Sequence, residues 1–151
     1  MNQVIIEFEK VISTKVQTET LFDLLKERPH RISYVEIDYV KHQNFVNEHP
    51  YRSWYLIKIK DTYVGSFYVS KENTIGINVF EKYTRQAVFQ IVRFIRDNYI
   101  PLPEIPSVRR GLFAINVPPL NILLAEVLEN LNAELVQKTY LFPSTNENDS
   151  K

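Results

Sequence analysis

Residues 63–80 read YVGSFYVSKENTIGINVF, and this stretch decides the predicted fold. Two runs rich in β-branched and aromatic residues, 63–70 and 74–80, flank a short polar turn. A third run of this kind, 53–60, precedes them and is joined to them by Asp61-Thr62, a pair suited to a tight hairpin. Three consecutive strands joined by short turns predict an antiparallel meander.

Apolar periodicity predicts the elements on either side of this meander. Leucines recur at helical spacing over 120–131, and a second apolar stripe with that spacing runs through 84–99. Asp38 is suited to cap a short helix, whereas 13–20 is polar and rich in hydroxyl residues, which predicts a loop. The predicted strands are 4–11, 53–60, 63–70, 74–80, 111–116 and 134–142, and the predicted helices are 21–28, 38–49, 84–99 and 120–131.

This order of elements predicts an α/β (α+β) fold in which helices flank a mixed, mostly antiparallel central sheet. A chain of 151 residues suits one domain, which we expect to span 1–142. The remaining residues, 143–151, are polar, and we expect them to form a disordered tail.

Composition and charge exclude several classes of partner. Lys plus Arg and Asp plus Glu both number 18, and the basic residues are scattered, so no nucleic-acid partner is expected. The chain has no cysteine, and no His, Asp or Glu cluster has metal-ligand spacing, so no metal is expected. No apolar run is long enough to span a bilayer, and the first residues lack a signal-peptide pattern. We therefore expect no membrane partner and a cytoplasmic protein.

The chain resembles the GNAT (Gcn5-related N-acetyltransferase) superfamily over residues 4–142. Residues 63–80 are similar to the family's central hairpin, in which a Val-Gly strand leads into an Ile-Gly-Ile strand. The stretch 81–89 stands in the place of the family's cofactor loop and helix start. Further on, 115–121 and 129–133 resemble the family's Asn-x-x-Asn signature and the end of the helix that follows it.

The resemblance implies an acetyl-CoA-dependent N-acetyltransferase in which the amine of a small molecule attacks the thioester directly. An amino-sugar nucleotide is one candidate acceptor. The pantetheine arm of the co-substrate would pair with a strand, and its pyrophosphate would sit on backbone N–H groups at a helix start. The implied contacts are Ile77, Asn78 and Val79 for the arm, Arg85, Gln86, Ala87, Val88 and Phe89 for the pyrophosphate, and Asn116 and Asn121 for polar contacts near the thioester and arm.

The chain departs from the family's pattern in the cofactor loop, in the later helix and at the end of that helix, where Asn132-Ala133 replaces the usual Gly-Phe. Thr84, Ala87 and Phe89 stand where the family's loop carries Arg or Gln and then two small residues. Leu128 matches the position of a Tyr that serves many members as general acid. These departures leave an alternative open, a catalytically inactive GNAT-fold binding or scaffolding protein, in which 84–89 simply begins a core helix.

The acceptor site is predicted from a second resemblance. The stretch His49-Pro50-Tyr51-Arg52 with Trp54 is similar to one in GNAT members that acetylate amino sugars of nucleotide-linked precursors. Rings suit stacking on a sugar or base, and Arg52 suits a phosphate. Aromatic residues at strand starts usually belong to the core, and this alternative is favoured for Tyr51 and Trp54. His49 is a candidate proton acceptor near pH 7.

The remaining expectations concern other histidines and the oligomeric state. His30 and His42 are predicted to be surface residues. No general base or acid is singled out by the sequence. The protein is expected to be a monomer or a homodimer formed through edge strands.

Overall fold

A computed structural model describes residues 4–28 and 38–144. The sheet has five strands in the order β1-β2-β3-β4-β5, of which the first four are antiparallel to their neighbours and the last is parallel to β4. This architecture confirms the predicted fold class. The strands are β1 (Ile6–Lys10), β2 (Ser53–Ile59), β3 (Thr62–Val69), β4 (Thr74–Val79) and β5 (Ala114–Ile115), and the helices are α1 (Lys15–Lys26), α2 (Tyr39–Glu48), α3 (Thr84–Asn98) and α4 (Ile122–Asn130), with a 3₁₀ turn at Glu81–Tyr83.

Each face of the sheet carries one pair of helices, because alternate side chains of a strand point to opposite faces. On one face, Ile57 and Phe67 of the meander pack in a buried cluster with Ile91 and Ile95 of α3. Helix α4 packs beside α3. On the opposite face, Leu56 of β2 lies in a second cluster with residues of α1 and α2. The sheet is therefore the middle layer of three.

Helix α1 begins earlier than predicted, and the expected loop over 13–20 is wrong. Thr14 and Gln17 form a capping box, in which the Thr14 hydroxyl accepts from the backbone N–H of Gln17. The hydroxyls of Thr18 and Thr20 donate to the carbonyls of Thr14 and Val16, at 2.9 and 2.8 Å. The hydroxyl residues that predicted a loop therefore belong to the helix. Thr14 caps it, and the side chains of Thr18 and Thr20 bond to carbonyls four residues earlier.

The predicted strand over 134–142 is also wrong, since these residues form no strand and are exposed. The strand predicted over 111–116 is reduced to the two residues of β5. The Asn73 side chain ties the turn before β4 to the segment that leads to β5, since its amide donates to the carbonyls of Leu102 and Arg110 at 2.9 and 2.7 Å. The pairing of β5 with β4 begins at Ala114, whose N–H donates to the Asn73 carbonyl at 2.9 Å.

Two element boundaries shift by one or two residues. The turn between β2 and β3 is Lys60-Asp61 rather than Asp61-Thr62, and both turn residues have positive φ, 48° and 62°, as a type I′ hairpin requires. Helix α4 begins at Ile122 rather than at 120, because the Asn121 side chain accepts from the N–H of Leu124 at 3.2 Å and caps the helix.

The remaining predictions concern membrane-spanning helices, metal sites and residues outside the described ranges. Among the described helices, none has the length and apolar character needed to cross a membrane. Within residues 4–28 and 38–144, no group of three His, Asp or Glu side chains could hold a metal ion. His30 and most of the predicted tail, from residue 145, lie outside the described residues.

Candidate active site

A notch opens between β4 and β5 because the two strands pair only at their first residues. Thr74 lies opposite Ala114 and Ile75 opposite Ile115, and the strands then separate. Beyond that point, β4 is bonded on one side only, to β3. The residues that line the notch come from β4, α3, α4 and the loop before α4, and include Ile77, Asn78, Val79, Thr84, Pro118 and Asn121.

The notch exposes the backbone edge of β4. Thr74 and Phe80 direct their backbone groups toward β3, since the Thr74 carbonyl accepts from Ser70 at 2.8 Å and the Phe80 N–H donates to Val64 at 3.0 Å. Alternate residues of a strand point these groups to opposite edges. The N–H and C=O groups of Ile77 and Val79 therefore face the notch, where an extended chain could pair with them as an added strand.

The N-terminus of α3 lies beside this edge and has no side-chain cap. The other three helices are each capped by a side chain. Of the four N–H groups that an α-helix leaves unpaired at its start, the first two donate to the carbonyls of Phe80 and Glu81. The N–H groups of Arg85 and Gln86 are the other two, and by this rule they are the ones expected to bind an anion at the positive end of the helix dipole.

This geometry narrows the set of residues predicted to contact the pyrophosphate. The N–H groups of Ala87, Val88 and Phe89 lie within α3 and bond to carbonyls four residues earlier. The Ala87 and Val88 side chains are fully buried, and the Phe89 side chain is 52% exposed. The methyl group of Ala87 thus points into the core, so the loss of a glycine there does not obstruct the helix start.

The other predicted contacts of the co-substrate occupy different environments. Arg85 forms an exposed ion pair with Glu126 of α4, with Nη2 and Oε1 3.1 Å apart. Asn121 lines the notch, although its side-chain oxygen also caps α4. Asn116 follows β5 and is exposed, and it is not among the residues that line the notch.

A larger groove lies on the opposite face of β4, under α1 and α2. It encloses about 590 Å³ of empty space, part of which is open to solvent. Arg28, Ile77 and Asn78 line both this groove and the notch, so the two meet at β4. The other lining residues are Leu21, Leu25, His42, Phe45, Tyr51, Trp54, Ser66, Tyr68 and Gly76.

Aromatic rings form one wall of this groove. Tyr51 stacks on Tyr68 with ring centroids 3.9 Å apart and planes 4° from parallel. The edge of Trp54 meets Tyr51 at 5.2 Å, and Phe45 approaches Tyr51 at 5.6 Å. Burial raises the pKa of both Tyr51 and Tyr68, and the charge of Arg28 opposes this increase. Both phenols are therefore neutral at physiological pH.

Of the four residues predicted to contact the acceptor, two line the groove and two do not. Tyr51 and Trp54 line the groove, while Trp54 is also part of the core. Arg52 turns away, because its Nη1 donates to the Ile100 carbonyl at 2.7 Å and its guanidinium lies 5.2 Å from the Tyr99 ring centre. That position does not suit the predicted phosphate contact.

His49 packs against the aromatic wall but has no free lone pair. Its ring lies 5.3 Å from that of Trp54, and its Nδ1 accepts from the backbone N–H of Tyr51 at 3.2 Å. Burial and, to a smaller extent, the charge of Lys71 lower the pKa of His49. A neutral ring with this bond carries its proton on Nε2, so the geometry disfavours His49 as a proton acceptor.

His42 is a groove residue whose position the sequence interpretation missed. It was predicted to lie on the surface, but it is half-buried. The inward face of α2 carries His42 and Val46, which are one turn apart. The spacing to Val46, the buried valine of α2, is the signal that could have identified His42.

The surroundings of His42 leave its Nδ1 as an acceptor. Its Nε2 lies 3.2 Å from the Thr18 carbonyl, which can only accept, so the proton is on Nε2. Burial lowers the pKa of His42, and the bond to Thr18 opposes this only in part. The ring is therefore neutral at pH 7, with its lone pair on Nδ1.

Gly76 allows the Tyr68 ring to lie across β4, and we expect Gly76→Ala to disturb the groove. A Cβ at Gly76 would lie 2.1 Å from Cε2 of Tyr68. Because that ring can move aside, the free energy of unfolding should fall by only about 1–2 kcal/mol. Urea unfolding measures the loss, and the fluorescence of Trp54, the sole Trp, should report the altered stack.

Gly111→Ala is the matched control for this variant, since its Cβ would meet Glu104 at an ordinary 3.4 Å. Its free energy of unfolding should stay within about 0.5 kcal/mol of the wild type. If Gly76→Ala and Gly111→Ala have the same stability and the same Trp54 emission, the position of the Tyr68 ring does not depend on Gly76.

No protein-family model matches the chain, and no curated protein sequence matches it. Solved structures do match, beginning with a domain from Methanocaldococcus jannaschii DSM 2661, at a TM-score of 0.63 and 16% identity over 91% of this chain and 93% of that one. AAC(6')-Iy, an aminoglycoside N-acetyltransferase in complex with the bisubstrate analogue CoA-S-monomethyl-acetylneamine, matches at 0.59 and 10% identity, over 93% and 98% of the two chains.

A third match is the ribosomal-protein-alanine N-acetyltransferase from Brucella melitensis biovar Abortus 2308, at a TM-score of 0.60 and 10% identity, over 93% of this chain and 100% of that one. Because the identities are only 10–16%, these matches bear on the fold alone. These matches, together with the order and direction of the strands, confirm the fold that the sequence predicted. The chain therefore has the GNAT fold, which it shares with these N-acetyltransferases.

Proposed function

We propose that the protein is an acetyl-CoA-dependent N-acetyltransferase that acts on the amine of a small molecule. One observation carries the proposal, the meeting of two openings at Ile77 and Asn78. The notch offers an open strand edge beside an uncapped helix N-terminus, and the groove behind it offers room for a second substrate. Two of the similar structures contain CoA or a CoA-containing analogue.

The notch has the groups that a CoA ester requires. An extended pantetheine arm would pair with the N–H and C=O groups of Ile77 and Val79. The pyrophosphate would bind the N–H groups of Arg85 and Gln86 and exchange the exposed Arg85–Glu126 ion pair for a phosphate contact. Because exposed ion pairs contribute little stability, this exchange costs little.

The groove suits an acceptor of small-molecule size. It is open to solvent on one side and lined by rings and by a few polar side chains, as small-molecule sites usually are. Ser66 and Asn78 lie opposite each other on β3 and β4 and line the groove where it meets the notch. Their side chains can orient an amine that enters from the groove side.

His42 is the proposed proton acceptor. The amine forms its bond to the acetyl carbon, the bond from that carbon to sulfur breaks, and the amine proton passes to Nδ1 of His42. Leu128, buried where α4 meets α3, cannot donate a proton, so the leaving thiolate takes its proton from water. The protein contributes mainly by holding the two reactants in one geometry.

Thermal unfolding with and without millimolar acetyl-CoA tests the proposal. At 100 times its dissociation constant, a ligand stabilises the folded state by about 2.7 kcal/mol, which should raise the midpoint by several degrees. The charge-reversal variant Arg85→Glu should reduce the shift, while Arg93→Glu, on the exposed side of α3, should keep it. Absence of a shift in the wild type would contradict the proposal.

A measurement of thiol release distinguishes an enzyme from a GNAT-fold binding protein without catalysis. A protein that binds acetyl-CoA should release free thiol when an amine acceptor is added. A clear thermal shift with no thiol release from any amine would favour the binding or scaffolding alternative.

A further inference from the structure

Residues 134–142 form an apolar segment without a partner in their own chain. All of them are exposed, and among residues 4–28 and 38–144 no hydrogen bond involves their backbone groups. Five are large apolar residues with exposures of 63–95%, namely Leu135, Val136, Tyr140, Leu141 and Phe142. Monomeric proteins rarely leave so continuous an apolar stretch in water, so we expect another surface to cover the segment.

The composition of this segment is that of a strand. It is rich in β-branched and aromatic residues and contains neither Gly nor Pro. Because alternate residues of a strand point to opposite faces, Leu135 and Leu141 would lie on one face and Tyr140 on the other. Apolar residues on both faces are typical of a strand that is covered on both. In a single copy the segment forms no strand, since it has no neighbour to bond to.

The sheet has a free edge to which such a strand could bond. β5 is the last strand of the sheet, and β4 pairs with only one of its edges. The Ala114 N–H points toward β4, since it donates to the Asn73 carbonyl, so the N–H and C=O groups of Phe113 and Ile115 point to the outer edge. In the part of the chain that the structure describes, these groups have no hydrogen-bond partner.

The core beside this outer edge is incompletely covered. Phe113, Ile115 and Val117 pack against the buried clusters of the sheet and yet remain partly accessible. Leu112, at the start of the edge, is 75% exposed. A strand bonded to the outer edge of β5 would place its own side chains beside these, as neighbouring strands do.

A second copy of the chain is the occupant that fits both features. The segment leaves α4 through a helix-ending turn, in which the Ala133 N–H donates to the Leu128 carbonyl at 2.9 Å. It then passes its own edge, since Nη2 of Arg110 donates to Oε1 of Gln137 at 2.6 Å, but it forms no backbone bond there. Two copies related by a two-fold axis can exchange their segments, so that each supplies one strand and one edge.

Reciprocal exchange would bury enough apolar surface for a specific dimer. Full burial of a large apolar side chain removes roughly 100 Å² of accessible surface, and two segments carry ten such side chains, five from each copy. The total, on the order of 1,000 Å² before backbone or polar surface is counted, reaches the size of a specific interface. Each segment carries one acid and one base, Glu134 and Lys138, so charge repulsion does not oppose the pairing of two copies.

We propose that the protein is a homodimer in which residues 134–142 of each copy pair with the outer edge of β5 of the other. Of the two oligomeric states expected from the sequence, the homodimer is selected, and its edge and segment are named. The inference does not depend on the proposed function, because neither the segment nor this edge lines the notch or the groove.

Light scattering of the full chain after size exclusion measures the oligomeric state. We expect twice the chain mass of 17.9 kDa, with a fall toward the single mass on dilution. In the variant Lys138→Pro/Thr139→Pro, adjacent prolines remove one N–H from each side of the segment, so the dimer should be lost whatever the register. Because these N–H groups are unbonded in a single copy, the variant should fold normally, which circular dichroism verifies.

A matched pair of valines separates this segment from exposed apolar surface in general. Val136 and Val16, the latter on α1, are 63% and 61% exposed. Val136→Asp should raise the dimer Kd by about tenfold or more, because a charge replaces an apolar side chain that the interface buries. Val16→Asp should leave the Kd within about threefold of the wild type.

Cross-linking between two differently labelled chains shows whether the segment reaches the other copy. The chain has no cysteine, so a single thiol can be introduced at each position. A ¹⁵N-labelled Leu112→Cys chain mixed with an unlabelled Tyr140→Cys chain should be joined by a flexible bis-maleimide into a labelled–unlabelled product.

Four results would each overturn the inference. They are a wild type that remains monomeric at the highest concentration measured, a mass that grows beyond two copies, a dimer that persists in Lys138→Pro/Thr139→Pro with an unchanged Kd in Val136→Asp, and the absence of a mixed cross-linked product. A monomer that still binds acetyl-CoA would lose this interface and retain its proposed function.

Discussion

We expect His42→Gln to lower kcat for acetyl transfer by about 10²- to 10⁴-fold, the usual contribution of a general base. Gln can still donate an N–H to the Thr18 carbonyl, so the fold at α1 and α2 should persist, but it cannot take up a proton. Affinity for acetyl-CoA should not change, because His42 lines the groove and not the notch. Thiol-release kinetics with an amine that the wild type acetylates measure the effect.

The pH profile should separate a base from a merely structural residue. Burial holds the pKa of His42 below 6.5, and only the neutral ring accepts a proton. The wild-type kcat/KM, corrected for the fraction of neutral amine, should therefore decline only at a pH below the ordinary histidine value, as the ring becomes protonated. His42→Gln should lose this decline, apart from any contribution of the amine itself.

His49→Gln is the matched control for the base assignment. Its Nδ1 is occupied by the Tyr51 N–H, and a Gln side-chain oxygen can accept the same bond. Its kcat should stay within about threefold of the wild type, a difference below 1 kcal/mol. A normal rate and profile in His42→Gln, or a large loss in His49→Gln, would reject His42 as the base.

The largest loss of stability is expected for Gly65→Ala, at about 3 kcal/mol of the free energy of unfolding. Gly65 of β3 lies opposite Val79 of β4. A Cβ there would lie 2.3 Å from the Asn78 carbonyl oxygen and 2.7 Å from the Val79 Cα. These are backbone atoms of a paired strand, so relief requires β4 itself to shift. Urea unfolding measures the loss.

The three glycine variants should rank by what each new methyl group meets. Gly65→Ala meets backbone, Gly76→Ala meets a movable ring and Gly111→Ala meets nothing closer than 3.4 Å, so the losses should decrease in that order. Because a shift of β4 also displaces Ile77 and Val79, Gly65→Ala should bind acetyl-CoA more weakly while it remains folded. A stability within 0.5 kcal/mol of the wild type would show that β3 and β4 pack less tightly than the structure indicates.

Local patterns were enough to predict the centre of the fold. The meander of β2, β3 and β4 joins neighbours through short turns, and α3 was predicted over 84–99 and found over Thr84–Asn98. In both cases the signal and the contacts that satisfy it lie close together in the chain. The resemblance to the GNAT superfamily rested in part on this same hairpin, and its fold prediction was correct.

The errors occurred where a local pattern has two outcomes and a distant residue chooses between them. The alternating stretch 134–142 has the composition of a strand, but a strand needs a partner to bond to, and these residues pair with none of the five strands of the described sheet. On α2, a histidine one turn from the buried Val46 suits a surface or an inward position, and packing against α1 and the sheet places His42 inward.

The sequence by itself determined the order of the elements, the hairpin that carries the fold and the strand beside which an acetyl-CoA arm is proposed to lie. The tertiary structure decided the chemistry of the groove. It placed Arg28 in the groove and turned Arg52 toward Ile100, and it left the lone pair of His42 available while using that of His49. Side-chain direction and hydrogen-bond partner at these positions depend on residues distant in the chain, and no periodicity along the sequence encodes them.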